Sequence, residues 1–270
     1  MAVFYLLGNV TRTQMLGCIV QANDKTVVFD GGTVEDCPQL AHFLRTNANS
    51  HVDAWFFTHP HHDHIGAFCT LRRQAPDILV ERAYFRFPPI EELKRHEPRS
   101  VREVELWEDI EKWGESCRIH ILSRRERFVF DDVTISVLRV YEGKHVDTEN
   151  FINNSSAVYR VENDRHSFLI LGDLGKEGGE ELMQTCPCEL LQTDYTQMAH
   201  HGQRGVTREF YEYIRPKRCI WPTPEWLWNN DKGKGFDTGP WQTVRTREWM
   251  AELGVTEHFI EKDGTQKINF

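Results

Sequence analysis

The chain has 270 residues, 40% of them hydrophobic and 27% charged, the balance of a folded globular protein with ample core rather than of a disordered or fibrous one. A formal net charge of −9 leaves no electrostatic footprint for gripping extended nucleic acid. Seven cysteines, an odd number spread through a chain too long to need a disulfide framework, together with the lack of an export signal or a membrane-length apolar run, predict a cytoplasmic protein in a reducing compartment.

An apolar start, "MAVFYLLGNV", reads as a first strand, and residues 16 to 30 hold two β-branched runs joined by the polar turn Asn23-Asp24-Lys25, a hairpin signal. A helical pattern follows from Val34 to Leu44, then the strand "VDAWFFT", a helix from Ile65 to Arg73 and an apolar run from Ile78 to Phe87. Strand and helix alternate here as in layered α/β proteins. From Pro88 to Gly114 the sequence turns charged and helical, with Leu93, Val101, Val104, Trp107, Ile110 and Trp113 on a shared face; this stretch reads as an insertion covering something.

Five closely spaced runs of strand character, "RIHIL", "RFVF", "VTISVLRV", "NSSAVYRVE" and "HSFLILGD", then predict a second sheet facing the first. The tail continues with a helix from Glu177 to Gln184, the strand "LLQTDYTQMA", a helix from Thr207 to Ile214 and the strand "RCIWPT". After a Trp-rich loop come a helix from Thr243 to Leu253 and a closing hairpin at Asp263-Gly264. No linker divides the chain, so residues 1–270 are expected to form a single domain of four layers.

The chemistry concentrates in "HPHHDH", residues 59 to 64, directly after a strand. Imidazole nitrogens and a carboxylate, with no thiol, suit a borderline-soft divalent cation. In an extended loop His59 and His61 point to one side, while Asp63 and His64, beyond the bend, reach a second point, a geometry for two metals rather than one. The competing reading is a solvated histidine-rich turn; delivery of the cluster by the strand "AWFF" favours the metal site.

The hexapeptide matches the pattern His-x-His-x-Asp-His, and "VVFDGG" before it, "FLILGD" and "MAHHG" after it, come in the order found in the metallo-β-lactamase fold superfamily, which the chain resembles over most of its length. With "NNSSAVYRV" it is most similar to the branch holding the soluble domain of DNA-uptake proteins and related phosphodiesterases, and to bacterial phosphorylcholine esterases. The resemblance implies a four-layer αββα sandwich with two divalent metal ions at one edge, zinc by default and manganese or iron as alternatives, and hydrolysis by a hydroxide that both metals hold. It further implies a first metal on His59, His61 and Asp173 and a second on Asp63, His64, Asp173 and one of the paired histidines. His201 is the expected ligand and His200 the expected substrate contact or proton donor, although the sequence itself does not distinguish them. Asp63 also orients the hydroxide, and Asp30 is expected to accept a hydrogen bond from a ligand histidine or to serve only as a turn residue.

Many superfamily members carry one more histidine before the bridging aspartate. Here His120, His145 and His166 are misplaced for it, so Asn153, Asn154 or Ser155 takes that region. The Gly-Gln-Gly-Asp stretch of DNA-uptake domains is replaced by "NVTRTQMLG". In the loop 220–241, Trp221 is expected in the core, while Trp226, Trp228 and Trp241 offer stacking for a base or sugar or a cage for a choline-like cation. Arg12, Arg204, Lys232 and Lys234 are phosphate candidates or plain surface charge, and Cys186 and Cys188 read as structural. The expected function is hydrolysis of a small or medium phosphodiester-containing substrate, with no extended nucleic acid and no membrane as partner. A carboxylic ester, thioester or lactam hydrolase, or a non-catalytic metal- or partner-binding protein, are the alternatives.

Overall fold

The computed structural model describes residues 2–112 and 117–270, so Trp113 and Gly114 of the expected insertion lie outside the described residues. The first half runs β1 (Ala2–Leu6), β2 (Gly17–Ala22), β3 (Lys25–Asp30), α1 (Cys37–Asn47), β4 (His51–Val52), β5 (Ala54–Phe56), α2 (His62–Gln74), β6 (Leu79–Val80), β7 (Arg82–Phe85), α3 (Ile90–His96), α4 (Val101–Lys112) and β8 (Arg118–Ile121). The second runs β9 (Arg127–Phe130), β10 (Val133–Arg139), α5 (Phe151–Asn154), β11 (Val158–Glu162), β12 (Ser167–Ile170), α6 (Lys176–Thr185), α7 (Cys188–Leu191) and β13 (Tyr195–Gln197). It continues with α8 (Arg208–Ile214), β14 (Cys219–Trp221), α9 (Glu225–Trp228), α10 (Thr243–Glu252), β15 (His258–Ile260) and β16 (Gln266–Asn269).

These strands form two large sheets, ordered β16-β1-β2-β3-β5-β7-β8 and β15-β14-β13-β12-β11-β10-β9, with β4 and β6 paired beside them. Successive residues of a strand point to opposite faces, and inner strands such as β5 and β12, buried on both, supply one face to the other sheet and one to the helices. Phe4, Phe29 and Phe56 from the first sheet meet Tyr159, Phe168 and Ile170 from the second in one buried cluster, with Phe4 stacked on Phe168 at 4.4 Å. Helices α1, α2 and α4 cover the outer face of the first sheet, and α6, α8 and α10 that of the second. The result is the expected four-layer αββα sandwich.

Several expectations need correction. "RIHIL" is β8, which pairs in parallel with β7 on the first sheet, not the second; alternation announces a strand but not its neighbour. The run "NSSAVYRVE" starts as the helical turn α5 and becomes a strand only at Val158. Within "LLQTDYTQMA" only Tyr195–Gln197 is strand, and Cys188–Leu191 is helical. The closing hairpin does not form, because β15 pairs in parallel with β14 while β16 pairs with β1 across the sandwich. In the insertion, Leu93, Val104, Trp107 and Ile110 are buried, whereas Val101 is 58% exposed and off their shared face. Trp107 packs on Phe85 and Phe87 at 5.1 and 5.3 Å, and α4 covers α2. All seven cysteines are free thiols, and among the described residues no helix is long and apolar enough to cross a membrane.

Candidate metal centre

The histidine motif straddles a strand-to-helix junction. After β5 the chain runs through a bend at Thr58 to His61, extended (φ −68°, ψ 150°) and capping α2, which begins at His62 rather than Ile65. His59 and His61 therefore lie before the helix, while Asp63 and His64 occupy its first turn, not a loop. His62, between them, turns outward and pairs with Glu103 of α4 at 3.2 Å, fastening the insertion to the motif.

At the end of β3, Asp30 has a φ of 53° and is fully buried. Its Oδ1 accepts from the Thr58 amide at 2.8 Å, and its Oδ2 accepts from Thr58 Oγ1 at 2.7 Å and His64 Nδ1 at 2.8 Å. That bond puts the proton of His64 on Nδ1 and turns a bare Nε2 inward, the carboxylate–histidine arrangement that orients metal ligands. Since Thr58 Oγ1 donates to Asp30, its lone pair is free to accept from His59 Nδ1 at 3.0 Å. His59 Nε2 then faces His61 Nδ1 at 3.0 Å, two nitrogens aimed at one point.

The second sheet supplies the remaining wall. "FLILGD" runs off β12 into Gly172, whose φ of 57° sets its Cα against Thr58, so an added Cβ would lie 2.6 Å from the Thr58 Cβ. Asp173 follows, donating its amide to Ser156 Oγ at 3.2 Å. After β13, His200, His201 and Gly202 all have positive φ (52°, 54° and 80°), a tight left-handed turn that presents both imidazoles. Pro222 O accepts from His201 Nδ1 at 2.7 Å, leaving Nε2 bare. His200 Nδ1 donates to Arg204 O at 3.0 Å, and its Nε2 faces Asn153 Nδ2 at 3.5 Å and Asp173 Oδ2 at 3.8 Å.

Two groups of donors result, each close enough to share one cation: Asp63, His64, Asp173 and His201, and His59, His61 and Asp173. Asp173 belongs to both. Its Oδ1 is 3.2 Å from His64 Nε2 and its Oδ2 3.4 Å from His201 Nε2 and 3.8 Å from His59 Nε2. Buried polar atoms are normally hydrogen-bonded, yet His64 Nε2, His201 Nε2 and Asp173 Oδ1 have no such partner. Bare nitrogens and a carboxylate oxygen converging on one space are what a divalent cation of this ligand class requires, and the donor set fits it.

The electrostatics agree. Burial lowers His201, but Asp173 and Asp63 outweigh it and push the imidazole up to about 10. His64 is likewise lowered by burial yet raised well above its ordinary value by Asp173, Asp30 and Asp63. Burial drives His59 well below its usual range. For Asp63 and Asp173 burial raises the carboxyl, but the neighbouring histidines, His64 foremost, hold both far below it. The carboxylates thus draw positive charge to this spot, the charge a metal cation would supply.

All the sequence-derived candidates, Asp30, His59, His61, Asp63, His64, Asp173, His200 and His201, come together here. Asn153 lies beside His200, whereas Asn154 turns away to Glu177 and Thr148. Ser155 is spent on Ile152 O. Trp221 is fully buried as expected, Trp228 packs on it at 5.2 Å, and Trp226 and Trp241 form an edge-to-face pair at 4.9 Å. Sequence reasoning missed Thr58, Glu103, Pro222 and Gln14, the last donating to Asp63 Oδ2 at 3.1 Å; a lone loop glutamine carries no pattern by which to find it.

The model of the beta-lactamase superfamily domain matches residues 36–220. ComE operon protein 3 of Bacillus subtilis (strain 168) is 27% identical over 182 residues, which are 67% of this chain and 21% of that protein, so the chain spans about a fifth of its relative's length. The metallo-beta-lactamase fold protein YhfI from Bacillus subtilis superposes with a TM-score of 0.60 at 12% identity, covering 99% of this chain and 100% of its own. A diphosphatase from the PhnP family superposes with a TM-score of 0.54 at 14% identity, covering 100% and 98%. At these identities the structural likeness is one of fold.

Proposed function

The chain belongs to the beta-lactamase superfamily, and on that footing we propose that it is a metal-dependent hydrolase of small or medium phosphodiester-containing substrates. The observation that carries the reading is Asp173, shared by two donor groups whose other members are Asp63 and histidines, all buried except the half-buried His61. Two divalent ions on such a site, with zinc the first choice before manganese or iron, supply a water acidic enough to ionise near neutral pH and positive charge facing the oxygen under attack.

The chain's own residues do the rest. Asp63 has a carboxylate placed to hold the proton of the attacking water and orient its lone pair. His200 keeps 16% of its side chain open while His59, His64 and His201 are closed off, so it stands where substrate arrives. With Nδ1–H held by Arg204 O, its Nε2 is the atom that faces the substrate, as a bare lone pair that serves a departing oxygen only after taking up a proton, a step that burial of the ring opposes. Asn153 offers an amide oxygen, buried and unpaired, beside it.

Phosphodiester chemistry is supported by the diphosphatase among the structures sharing the fold. The net charge of −9 supports a compact substrate over a long polyanion, and seven free thiols support work in a reducing cytoplasm. The test is elemental analysis of the purified protein beside turnover of bis(p-nitrophenyl) phosphate, with His61→Ala in parallel. Near two metals per chain, with metal and turnover both reduced in the variant, is the expected result. Intact phosphodiesters but opened esters or thioesters would overturn the substrate class, and a chain without metal would overturn the whole reading.

A further inference from the structure

Three of the histidine candidates have the far side pinned: His59 by Thr58, His64 by Asp30, His201 by Pro222. Asp63 is pinned by the β1–β2 loop. Leu16 N donates to Asp63 O at 3.2 Å, and Gln14 Nε2 donates to Asp63 Oδ2 at 3.1 Å. Gln14 is itself oriented, because its Oε1 accepts from Gln203 Nε2 at 3.0 Å. That second bond fixes which end of the Gln14 amide meets the carboxylate; reversed, the amide would set oxygen against oxygen.

The two glutamines bridge the halves of the molecule. Gln14 sits on the loop between strands of the first sheet, and Gln203 directly follows His200-His201-Gly202 on the second, its amide donating to His200 O at 2.9 Å. The carboxylate they reach is 3.5 Å from His201 Nε2. Beneath them the loop is braced: Thr13 Oγ1 donates to Asp36 Oδ2 at 3.0 Å, and Trp226 Nε1 to Arg12 O at 3.0 Å. We propose that Gln14 and Gln203 form an amide latch that sets the gap between Asp63 and His201, with Gln14 the positioning residue for Asp63. The inference rests on the two-metal reading above and adds to it which of the two positions the latch controls.

The test is a cobalt(II) titration of the metal-free full chain, followed by visible spectroscopy and chelator competition, for wild type, Gln14→Met and Gln203→Met. Methionine keeps the volume and removes the amide. In Gln14→Met one of the two equivalents is expected to weaken by about 10- to 100-fold, the usual effect of losing a partner behind a ligand, with the band of that cobalt shifted and the other equivalent unchanged. Gln203→Met is expected to weaken the same equivalent by less, and it carries the test if Gln14→Met fails to fold. Wild-type affinities and spectra in the variants that fold, or equal weakening of both equivalents, would overturn the latch. A wild-type chain binding no cobalt would overturn the two-metal reading beneath it.

Discussion

Asp30 Oδ2 lies 2.8 Å from His64 Nδ1 and also accepts from Thr58 Oγ1 at 2.7 Å, so one buried carboxylate orients His64 directly and His59 through Thr58. Asp30→Asn is the informative change, because asparagine tolerates the positive φ of 53° but replaces one acceptor oxygen with a donor. Leaving one buried donor unanswered should cost about 1–3 kcal/mol. Zinc affinity, measured against a chelator, should fall by about 10- to 100-fold.

Glu181 holds Arg139 at 2.9 Å, Lys144 at 2.7 Å and His145 at 3.0 Å. Burial pushes its carboxyl up, but Arg139 and the hydrogen bonds outweigh that and bring it from the ordinary 4.5 to about 2. A carboxyl depressed on folding contributes stability that is whole above the ordinary value and drains away as the pH falls towards 2. Glu181→Gln should therefore lose about 3 kcal/mol at pH 7, where the buried Arg139 keeps its bond to the Ser156 carbonyl but loses its carboxylate partner. Urea unfolding at a series of acidic pH values should show the gap to wild type closing below pH 4.5; a gap constant with pH would refute the assignment.

Gly172 and Gly254 both have positive φ, 57° and 80°, but only Gly172 faces a neighbour, Thr58, while nothing lies within 4 Å of an added Cβ at Gly254. Gly254→Ala should cost the backbone penalty alone, about 1–2 kcal/mol. Gly172→Ala should cost about 1–3 kcal/mol more for the displaced Thr58. Chemical denaturation of the two metal-free variants side by side measures that difference, and equal losses would show that Thr58 yields freely.

Removing metal should lower the melting temperature and restoring it should recover the loss, since the donor groups exist only in the folded chain. With free zinc at a thousand times its dissociation constant the gain is about 4 kcal/mol. Calorimetry with and without a chelator, then with added zinc, reads it; identical melting in all three would remove metal from the account.

The motif donors were legible in advance because a short spacing such as "HPHHDH" carries its geometry with it, whereas Asp173 and His201 were picked out only by the resemblance of "FLILGD" and "MAHHG" to later landmarks of the superfamily. Gln14 was not legible, since it meets Asp63 and Gln203 at separations of 49 and 189 positions, which only folding brings together. Strand content was read better than strand partners. "RIHIL" alternates in either sheet, and its place beside β7 follows from the chain's path through the insertion. The helical turn of α5 escaped notice because Ser155 and Ser156 look like strand entry, whereas their hydroxyls serve Ile152 O and the Asp173 amide.

The return of β16 to pair with β1 bears on how the protein is made. During synthesis earlier segments leave the ribosome before later ones, so β1 waits with an open edge until residues 266–269 have followed it out. "HPHHDH" emerges long before Asp173 and His201, and neither donor group can close without Asp173. On the two-metal reading, loading therefore waits until Asp173 and His201 have been made. A ribosome-stalled chain ending before residue 173 should leave the shared metal position unformed.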